Sequence, residues 1–466
     1  MSKTQPARGM RDFLPVDVRK REYVIKIIKE VYESYGFEPL ETPSVENLET
    51  LTGKYGEEGS QLIFKILKRG EKLDVSAGEK GLSDLALRYD LTVPLARVVA
   101  NYKNDLPKFF KRYQIQPVWR ADRPAKGRYR EFYQCDVDAI GSKSMIVEAE
   151  LISAVSEILQ KLGFNDFIVR INHRSFLNLL VKEAGIPEEK TTDALVALDK
   201  LDKIGREGVE RELIEREIGK DEAALFLDMF EGFARLEEAS QSQNKIGFDA
   251  FNRAFLSRWE DGLNEDDAEN QSILKEFERL VSFAETTPAN AHIKIDPTLA
   301  RGLSYYTGTI MEVNVPDLAG SLGGGGRYDG LIGMFGKEEI PACGISIGLE
   351  RILVVMDERG MFPEDLQDAA ADVMVTIWDR GYVGENIYNS LKLASELRQK
   401  GLRVLVYPEA DKLGKQFKYA SQVNASFVCV LGESELAENK VTLKNMRSGE
   451  QETVLREEIA ARVKGK

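Results

Sequence analysis

Residues Trp119 to Asp138 have the sequence WRADRPAKGRYREFYQCDVD, and this stretch predicts two β-strands joined by a basic loop. The first strand is expected from Lys111 to Arg120 and the return strand from Glu131 to Ile140. Because successive side chains of a strand point to opposite faces, every second residue shares a face. One face then carries Arg112, Gln114, Gln116 and Arg120 on the first strand and Phe132, Gln134, Asp136 and Asp138 on the return strand.

This face combines arginine, an aromatic ring, amides and two carboxylates, whereas a solvated strand face usually carries mixed charges and threonine. The combination suits a phosphate, an aromatic base and an ammonium group bound side by side. Taken alone, the stretch is also compatible with an ordinary exposed hairpin.

The length and composition are those of a globular protein with several domains. At 466 residues the chain is long for one core, so two or three domains are expected. No apolar run approaches the roughly 20 residues that a membrane helix needs, and the N-terminal residues lack the apolar core of a signal peptide. A cytoplasmic location without membrane association is therefore expected. With three separated cysteines and two histidines, neither a zinc site nor a disulfide framework is predicted.

The net charge of −13 is unevenly distributed. Residues 205–290 contain 21 acidic and 10 basic side chains, which leaves the rest of the chain near −2. Residues 108–130, in contrast, contain eight basic side chains and one acid, Asp122. Because local patches set the affinity for phosphates, the loop of the predicted hairpin can bind nucleic acid although the whole chain is acidic.

Helix and strand patterns alternate along the first 360 residues. The predicted elements are a helix over Asp17–Tyr35, an extended edge or interface segment over Phe37–Pro43, a strand running into a helix over Asp84–Pro94, a helix over Met145–Leu162, a strand over Phe167–Asn172, an inserted helical region over about 185–290 and strands within His292–Val315. A glycine loop is expected over Ser321–Gly330, and a strand entering a helix over Pro341–Arg351.

The C-terminal part predicts a small α/β domain with mostly parallel strands, preceded by a linker of small and acidic residues. Its predicted elements are strands over Val373–Trp378, Arg403–Tyr407 and Phe427–Leu431 and helices over Glu385–Lys400 and Leu413–Val423.

Three further segments carry side chains suited to a ligand. Gly323 to Gly326 let the backbone approach a ligand or a neighbouring strand, although they also suit a tight connection between strands. Arg351 in the first turn of a helix strengthens its positive end, which is unfavourable unless an anion binds there or an outside carboxylate pairs with it. Arg301 with Tyr305 and Tyr306 suits a phosphate and a polar ring, or else a core with a snorkelling arginine. Without a Walker or dinucleotide motif, these arginines favour an antiparallel sheet that binds ATP in a bent form.

Six segments are similar to known motifs. Gly36–Pro43, Phe110–Gly141 and Gly344–Arg351 resemble motifs 1, 2 and 3 of class II aminoacyl-tRNA synthetases, of which the first is a dimer-interface element. Arg8–Pro15 resembles the N-terminal segment of the histidyl-tRNA synthetases, and Leu87–Pro94 and Arg301–Tyr306 resemble segments peculiar to them. The chain therefore resembles this family over nearly its whole length.

The resemblance implies roles at the ATP end of a site. Arg120 would hold the α-phosphate and the histidine carboxylate, and Phe132 would stack on adenine. Arg351 would stack on the other side of the base, near the γ-phosphate. Arg301 would contact the α-phosphate and, with Arg120, stabilise charge in the transition state.

The resemblance also implies a histidine site. Asp90, Leu91, Thr92 and Gln134 would surround the α-amino group, Arg120 and Arg301 would lie beside the carboxylate, Asp138 and Tyr306 would hold the two imidazole nitrogens, and Tyr305 and Tyr328 would close the pocket. A carboxylate and a phenol can satisfy the donor and the acceptor of one imidazole ring.

Partners and domains follow from the same resemblance. The expected protein is a homodimeric histidine–tRNA ligase that uses ATP with Mg²⁺ as a substrate complex and holds no structural metal. It would have an α+β catalytic domain at 1–360 with the antiparallel class II sheet, a helical insertion at about 185–290, a linker at 361–371 and an α/β anticodon-binding domain at 372–466. Predicted contacts with tRNA are Arg123, Lys126, Arg128 and Arg130 in the hairpin loop and Lys412, Lys415 and Lys418 in the last domain, where a solvated helix face is the alternative.

Two features depart from the common family pattern. Ser304 stands where the family usually has an acid, and Leu87–Pro94 and Gln134–Asp138 resemble the eukaryotic and archaeal form of the family. Two other functions are alternatives: a non-catalytic paralogue that regulates histidine biosynthesis through a partner enzyme, and a module that senses uncharged tRNA. Such paralogues typically lack the C-terminal domain and the ATP-binding arginines, and a sensor needs an attached effector domain.

Overall fold

The computed structural model describes residues 4–52, 61–241, 252–253, 255–257, 260, 268–300, 305–336, 338–363, 366, 371–377 and 385–465. It divides into two compact units, Met1–Met361 and Phe362–Lys466. No helix in these ranges is long and apolar enough to cross a membrane.

An eight-stranded sheet forms the centre of the first unit, in the order β1-β5-β6-β11-β10-β9-β7-β8. Neighbouring strands are antiparallel except at the two edges, where β1 pairs with β5 and β7 pairs with β8 in parallel. The strands are β1 (Glu38–Pro39), β5 (Phe110–Trp119), β6 (Glu131–Ile140), β7 (Ile168–His173), β8 (Ile293–Ile295), β9 (Thr309–Asn314), β10 (Gly323–Arg327) and β11 (Ala342–Gly348). A second sheet of this unit contains β2 (Val45–Asn47), β3 (Lys65–Leu67) and β4 (Ser83–Leu87) in the order β2-β4-β3.

The predicted hairpin is confirmed, with the expected alternation of its faces. In the β5–β6 pair, Arg112 lies opposite Asp138, and Gln116 lies opposite Gln134. The period of two thus brings the polar side chains of both strands onto one face of the sheet.

Helices cover the other face of the hairpin. The helix α1 (Pro15–Ser34), predicted over Asp17–Tyr35, buries Val24, Ile28 and Tyr32, and the Tyr32 hydroxyl donates a hydrogen bond to the carbonyl oxygen of Cys135, 3.2 Å away. Burying each such aliphatic side chain stabilises the fold by about 1.5–3 kcal/mol. Further helices among the described residues of this unit are α2 (Leu48–Leu51), α3 (Glu79–Leu82), α4 (Thr92–Asn101), α5 (Ile146–Lys161), α6 (Arg174–Glu183), α7 (Thr191–Leu198), α8 (Leu201–Glu215), α9 (Lys220–Gln241), α10 (Ala268–Ala284) and α11 (Leu349–Glu358), with 3₁₀ turns at Gly70–Lys72, Val75–Ala77, Glu188–Lys190 and Ile332–Met334.

The glycine loop predicted over Ser321–Gly330 is wrong, because Gly323–Arg327 form the strand β10 between β9 and β11. A Cβ atom on Gly325 would lie 2.0 Å from the carbonyl oxygen of Gly344 on β11. The glycines therefore allow a close approach of neighbouring strands, which is one of the two interpretations that the sequence left open.

The described residues of the segment at 185–290 form helices joined by turns, with no β-strand among them. Aromatic rings pack along the helix α9, where the rings of Phe226 and Phe230 are perpendicular and their centroids are 5.1 Å apart.

The second unit has a five-stranded sheet in the order β13-β12-β14-β15-β16. Its elements are β12 (Val373–Val375), α12 (Glu385–Gln399), β13 (Val404–Val406), α13 (Leu413–Gln422), β14 (Phe427–Val430), α14 (Glu433–Ala437), β15 (Lys440–Asn445), β16 (Gln451–Leu455) and α15 (Ile459–Lys464). The three predicted strands are parallel, but β15 and β16 join them as antiparallel strands that the sequence analysis missed. Polar and charged side chains interrupt the buried Val441, Leu443 and Val454, which obscured the apolar alternation of both strands.

Candidate active site

A cavity of about 920 Å³ opens on the hairpin face of the eight-stranded sheet. Its walls come from β6, β7, β9, β10 and β11, from the loop between β5 and β6, from the turn before α4, and from residues at the start of α8 in the helical segment. The site residues that line it are Asp90, Thr92, Arg120, Phe132, Gln134, Asp138, Tyr305, Tyr306, Tyr328 and Arg351. The fold thus brings together side chains from five separate stretches of the chain.

The floor of the cavity is acidic and buried. The carboxylates of Asp90, Asp136 and Asp138 are each only 2% exposed. Arg112, fully buried beside them, places its Nη2 atom 2.9 Å from Asp138 Oδ2 and 3.9 Å from Asp136 Oδ2. Burial raises the pKa of Asp138 although Arg112 opposes the shift, and burial raises the pKa of Asp136 to about 7. Among the described residues, Arg112 is the cation in contact with these carboxylates, so this end of the cavity favours a cationic ligand.

Two residues of the predicted amino-group site lie at the start of α4. Asp90 Oδ1 accepts a hydrogen bond of 3.0 Å from the backbone nitrogen of Val93, which holds the carboxylate at the positive end of the helix. Thr92 is the first residue of that helix. The side chain of Leu91 is fully buried, and its carbonyl oxygen accepts a hydrogen bond of 3.4 Å from Arg112 Nη2.

Three tyrosines form one cluster at the acidic end. The ring centroids of Tyr305 and Tyr306 are 5.1 Å apart, and those of Tyr305 and Tyr328 are 6.1 Å apart. The Tyr328 hydroxyl donates a hydrogen bond of 2.5 Å to Asp138 Oδ1. Burial raises the pKa of all three phenols, so they stay neutral and able to donate hydrogen bonds near neutral pH.

Gln134 lies between the acidic floor and the rest of the cavity. Its Nε2 atom donates a hydrogen bond of 3.0 Å to the hydroxyl of Ser346 on β11. Its Oε1 atom is buried and has no hydrogen-bond partner in the described part of the chain. An acceptor is therefore left for an N–H group of a ligand.

Arginines and an aromatic ring line the opposite end. Arg120 donates a hydrogen bond of 3.1 Å from Nε to the carbonyl oxygen of Tyr89, and its guanidinium carbon lies 5.4 Å from the centroid of the Phe132 ring. Arg351, in the first turn of α11 as predicted, donates a hydrogen bond from Nη1 to the carbonyl oxygen of Ser321. Two guanidinium groups beside an aromatic ring suit an anion such as a phosphate, so this end favours an anion. Arg301 and Ser304 lie outside the described residues.

The loop between β5 and β6 presents the predicted basic side chains to solvent. Arg123, Lys126 and Arg128 are exposed, and Arg130 is half-buried. Arg128 pairs with Asp122 at 2.9 Å and Lys126 with Glu358 at 2.5 Å. Exposed ion pairs contribute little net free energy, so these cations remain able to exchange their partners for phosphates.

The predicted lysines of the second unit are also exposed. Lys412 precedes α13, and Lys415 and Lys418 lie within this helix. Lys415 pairs with Asp411 across one helical turn, at 2.9 Å. Both a nucleic-acid contact and a solvated face fit this arrangement.

Among the described residues, no group of three or more histidine, cysteine, aspartate or glutamate side chains is arranged to hold a metal ion. Sequence reasoning assigned no role to Arg112, Asp136 or Ser346, although the first two were placed on the correct face. The sequence signal for Arg112 and Asp136 was the polar alternation of the hairpin. The pairing of the hairpin with β11, which brings in Ser346, is visible only in the fold.

Comparison with protein-family models gives two matches that together span most of the chain. Residues 9–352 match the model described as histidyl-tRNA synthetase, and residues 367–466 match the model described as anticodon binding domain.

Individual proteins are similar over almost the full length. The chain is 42% identical to the histidine–tRNA ligase of Porphyromonas gingivalis, with 97% of each chain covered, and 40% identical to that of Christiangramia forsetii, with 95% of each covered. Its structure resembles the crystal structure of histidyl-tRNA synthetase from Nostoc sp. PCC 7120 with a TM-score of 0.79, 31% identity and full coverage of both chains.

Proposed function

The chain belongs to the histidyl-tRNA synthetase family and is an ATP-dependent histidine–tRNA ligase, and from this premise we propose how its own residues carry out the reaction. The observation that supports the proposal is the polarity of the cavity, which has buried carboxylates at one end and arginines beside an aromatic ring at the other. Histidine would occupy the acidic end and ATP the arginine end.

At the acidic end, Asp90, Thr92 and Gln134 would bind the α-ammonium group, and Leu91 would shape the pocket around it. Asp138 and Tyr306 would bind the two imidazole nitrogens, with Tyr305 and Tyr328 enclosing the ring. A site of this kind excludes apolar side chains of similar shape, because they would leave its buried polar groups unpaired.

At the arginine end, Arg120 and Arg301 would hold the α-phosphate and the histidine carboxylate, and Phe132 and Arg351 would enclose adenine. A histidine carboxylate oxygen would attack the α-phosphorus while the bond to pyrophosphate breaks. The two arginines would stabilise the charge that grows on the phosphate oxygens. Mg²⁺ would enter with ATP as part of the substrate.

The second step transfers histidine from the adenylate to tRNA. The 3′-hydroxyl of the terminal adenosine would attack the histidyl carbonyl carbon, and AMP would leave. No side chain is assigned as a general base, so positioning and charge stabilisation would provide most of the rate.

The tRNA would contact both units. Arg123, Lys126, Arg128 and Arg130 would bind the acceptor end, next to the cavity. Residues 372–466 would form the anticodon-binding domain, with Lys412, Lys415 and Lys418 on its contact surface. Residues 1–360 would form the catalytic domain, with the insertion at about 185–290 and a linker at 361–371.

A homodimer in the cytoplasm is the proposed state of the protein. Both residues of the edge strand β1 are exposed, and exposed apolar side chains at Val45, Leu67 and Leu85 lie on the three-stranded sheet. A second copy would cover such apolar surface. Light scattering of the full chain would test the dimer.

Histidine-dependent exchange of pyrophosphate into ATP tests the assignment. We expect exchange with histidine alone among the amino acids. Absence of exchange in the wild-type protein would contradict the enzyme assignment and favour the regulatory paralogue or the tRNA sensor.

A further inference from the structure

One buried carboxylate on the cavity face of β6 has no role in the proposed reaction. Asp136 lies between Gln134 and Asp138 on the cavity face of β6 and is only 2% exposed. Its Oδ1 atom makes no hydrogen bond to any residue that the structure describes. Leaving a buried carboxylate oxygen without a donor is costly, which indicates that a ligand supplies the donor.

The neighbouring carboxylate is better compensated. Asp138 accepts a hydrogen bond from Tyr328 at one oxygen, and its other oxygen is 2.9 Å from Arg112 Nη2. This second contact is an ion pair without hydrogen-bond alignment, since Asp138 Oδ2 has no hydrogen-bond partner among the described residues. The same nitrogen is 3.9 Å from Asp136 Oδ2, so Arg112 neutralises Asp138 more than Asp136.

We propose that Asp136 is a further histidine-binding residue, whose carboxylate accepts a hydrogen bond from a substrate nitrogen and ionises as the substrate binds. This inference rests on the proposed function, because it takes histidine as the ligand of the cavity. Both the α-ammonium group and the ring N–H can donate such a bond. The ammonium group also brings the positive charge that the floor lacks.

The groups around Asp136 explain why its charge depends on a ligand. Burial is the main cause that raises its pKa to about 7. Arg112 and the Ser346 hydroxyl lower this pKa, whereas Asp138 and Asp90 raise it further. Further titratable or charged groups among the described residues that interact with it electrostatically include Arg88 before α4, Tyr306 at the cavity, and Tyr32 and Cys135, which meet on the other side of the sheet. In the empty site the Asp136 carboxyl is therefore partly protonated near neutral pH, and a bound ammonium group favours release of this proton to the buffer.

Calorimetric titration of the full chain with histidine measures this proton release. At pH 6.5, in two buffers with different ionisation enthalpies, we expect the wild type to release roughly half a proton or more per histidine beyond what Asp136→Asn releases, because the pKa of Asp136 is raised to about 7. In the pyrophosphate exchange assay, the same variant should raise KM for histidine about 10- to 100-fold. KM for ATP should stay within about twofold, because ATP occupies the other end of the cavity.

The controls separate this inference from folding and from the proposed function. Asp105→Asn removes an exposed carboxylate outside the cavity and should match the wild type in both measurements. Equal proton release and equal KM for histidine in Asp136→Asn and the wild type would overturn the inference. If the variant did not fold, the wild type alone would decide. The inference would be overturned if the protons that the wild type releases at pH 6.5 were no more than those that histidine's own imidazole gives up on binding. Failure of the proposed function is distinguishable, since then the wild type itself shows no histidine-dependent exchange.

Discussion

The Arg112 guanidinium lies 2.9 Å from the Asp138 carboxylate, and neither side chain is more than 3% exposed. The pair forms across β5 and β6, where the two residues are direct neighbours in the register. Gly344 on β11 makes room for it, because a Cβ atom there would lie 1.9 Å from Asp138 Oδ1. Three strands thus determine where the carboxylate points.

Arg112→Met should leave the Asp138 carboxylate buried without its ion pair. We expect the free energy of unfolding to fall by about 3–5 kcal/mol and the affinity for histidine to fall with it. Urea denaturation measures the first effect and calorimetric titration the second. Adding Asp138→Asn to the same chain should recover part of the stability, because it removes the uncompensated charge; no recovery would contradict the pairing.

Gly325→Ala should destabilise the central sheet. The new Cβ atom would lie 2.0 Å from the carbonyl oxygen of Gly344 and 2.5 Å from Ile345 Cα, so both strands must move. We expect a loss of about 3 kcal/mol or more in urea denaturation. Gly330→Ala is the matched control, since no atom lies within 4 Å of its Cβ position. Similar losses in both variants would argue against close strand approach as the cause.

Arg301→Ala should abolish activation without abolishing binding of histidine. Removing a group that stabilises transition-state charge lowers kcat by about 10²- to 10³-fold. Pyrophosphate exchange measures the rate, and calorimetric titration with histidine in the absence of ATP measures binding. Loss of histidine binding with a normal rate at saturation would show that Arg301 is misassigned.

Neutralising the hairpin loop should separate the two steps of the reaction. The double variant Arg123→Gln and Arg128→Gln should lower kcat/KM for aminoacylation and weaken its dependence on salt, because fewer phosphates are bound. Pyrophosphate exchange, which needs no tRNA, should change by less than about twofold. Lys26→Gln, at an exposed position on α1, is the control. Equal loss in both assays would place the effect in the cavity.

The ligand-free protein should become more stable at high pH when Asp136 is replaced. The pKa of Asp136 is about 7 in the folded chain and about 3.9 in an unfolded one, so the folded state holds the proton more tightly. Its contribution therefore turns unfavourable as the pH rises from about 4 to about 7, and the full cost remains above pH 7. The measured quantity is the free energy of unfolding of Asp136→Asn minus that of the wild type. This difference should be larger at pH 8 than at pH 4, by on the order of 1–3 kcal/mol. Urea denaturation of both proteins, with Asp105→Asn as control, checks this; a difference that does not depend on pH would contradict it.

The sequence by itself determined the features that depend on local backbone geometry. The period of two placed Arg112, Gln134 and Asp138 on one face of a hairpin, and the period of 3.6 located α1 within two residues at its start. Arg351 was also placed correctly in the first turn of its helix. These patterns repeat over a few residues, so no distant part of the chain is needed to recognise them.

Only the tertiary structure decided which of these side chains are buried and paired. The glycines from Gly323 to Gly326 form a central strand because β9 and β11 lie on both sides, which their own sequence does not encode. Asp136 differs from Asp138 because one arginine lies nearer to one carboxylate than to the other inside a cavity closed by distant residues. Burial and pairing depend on neighbours from separate stretches of the chain, and they set the charge of the site.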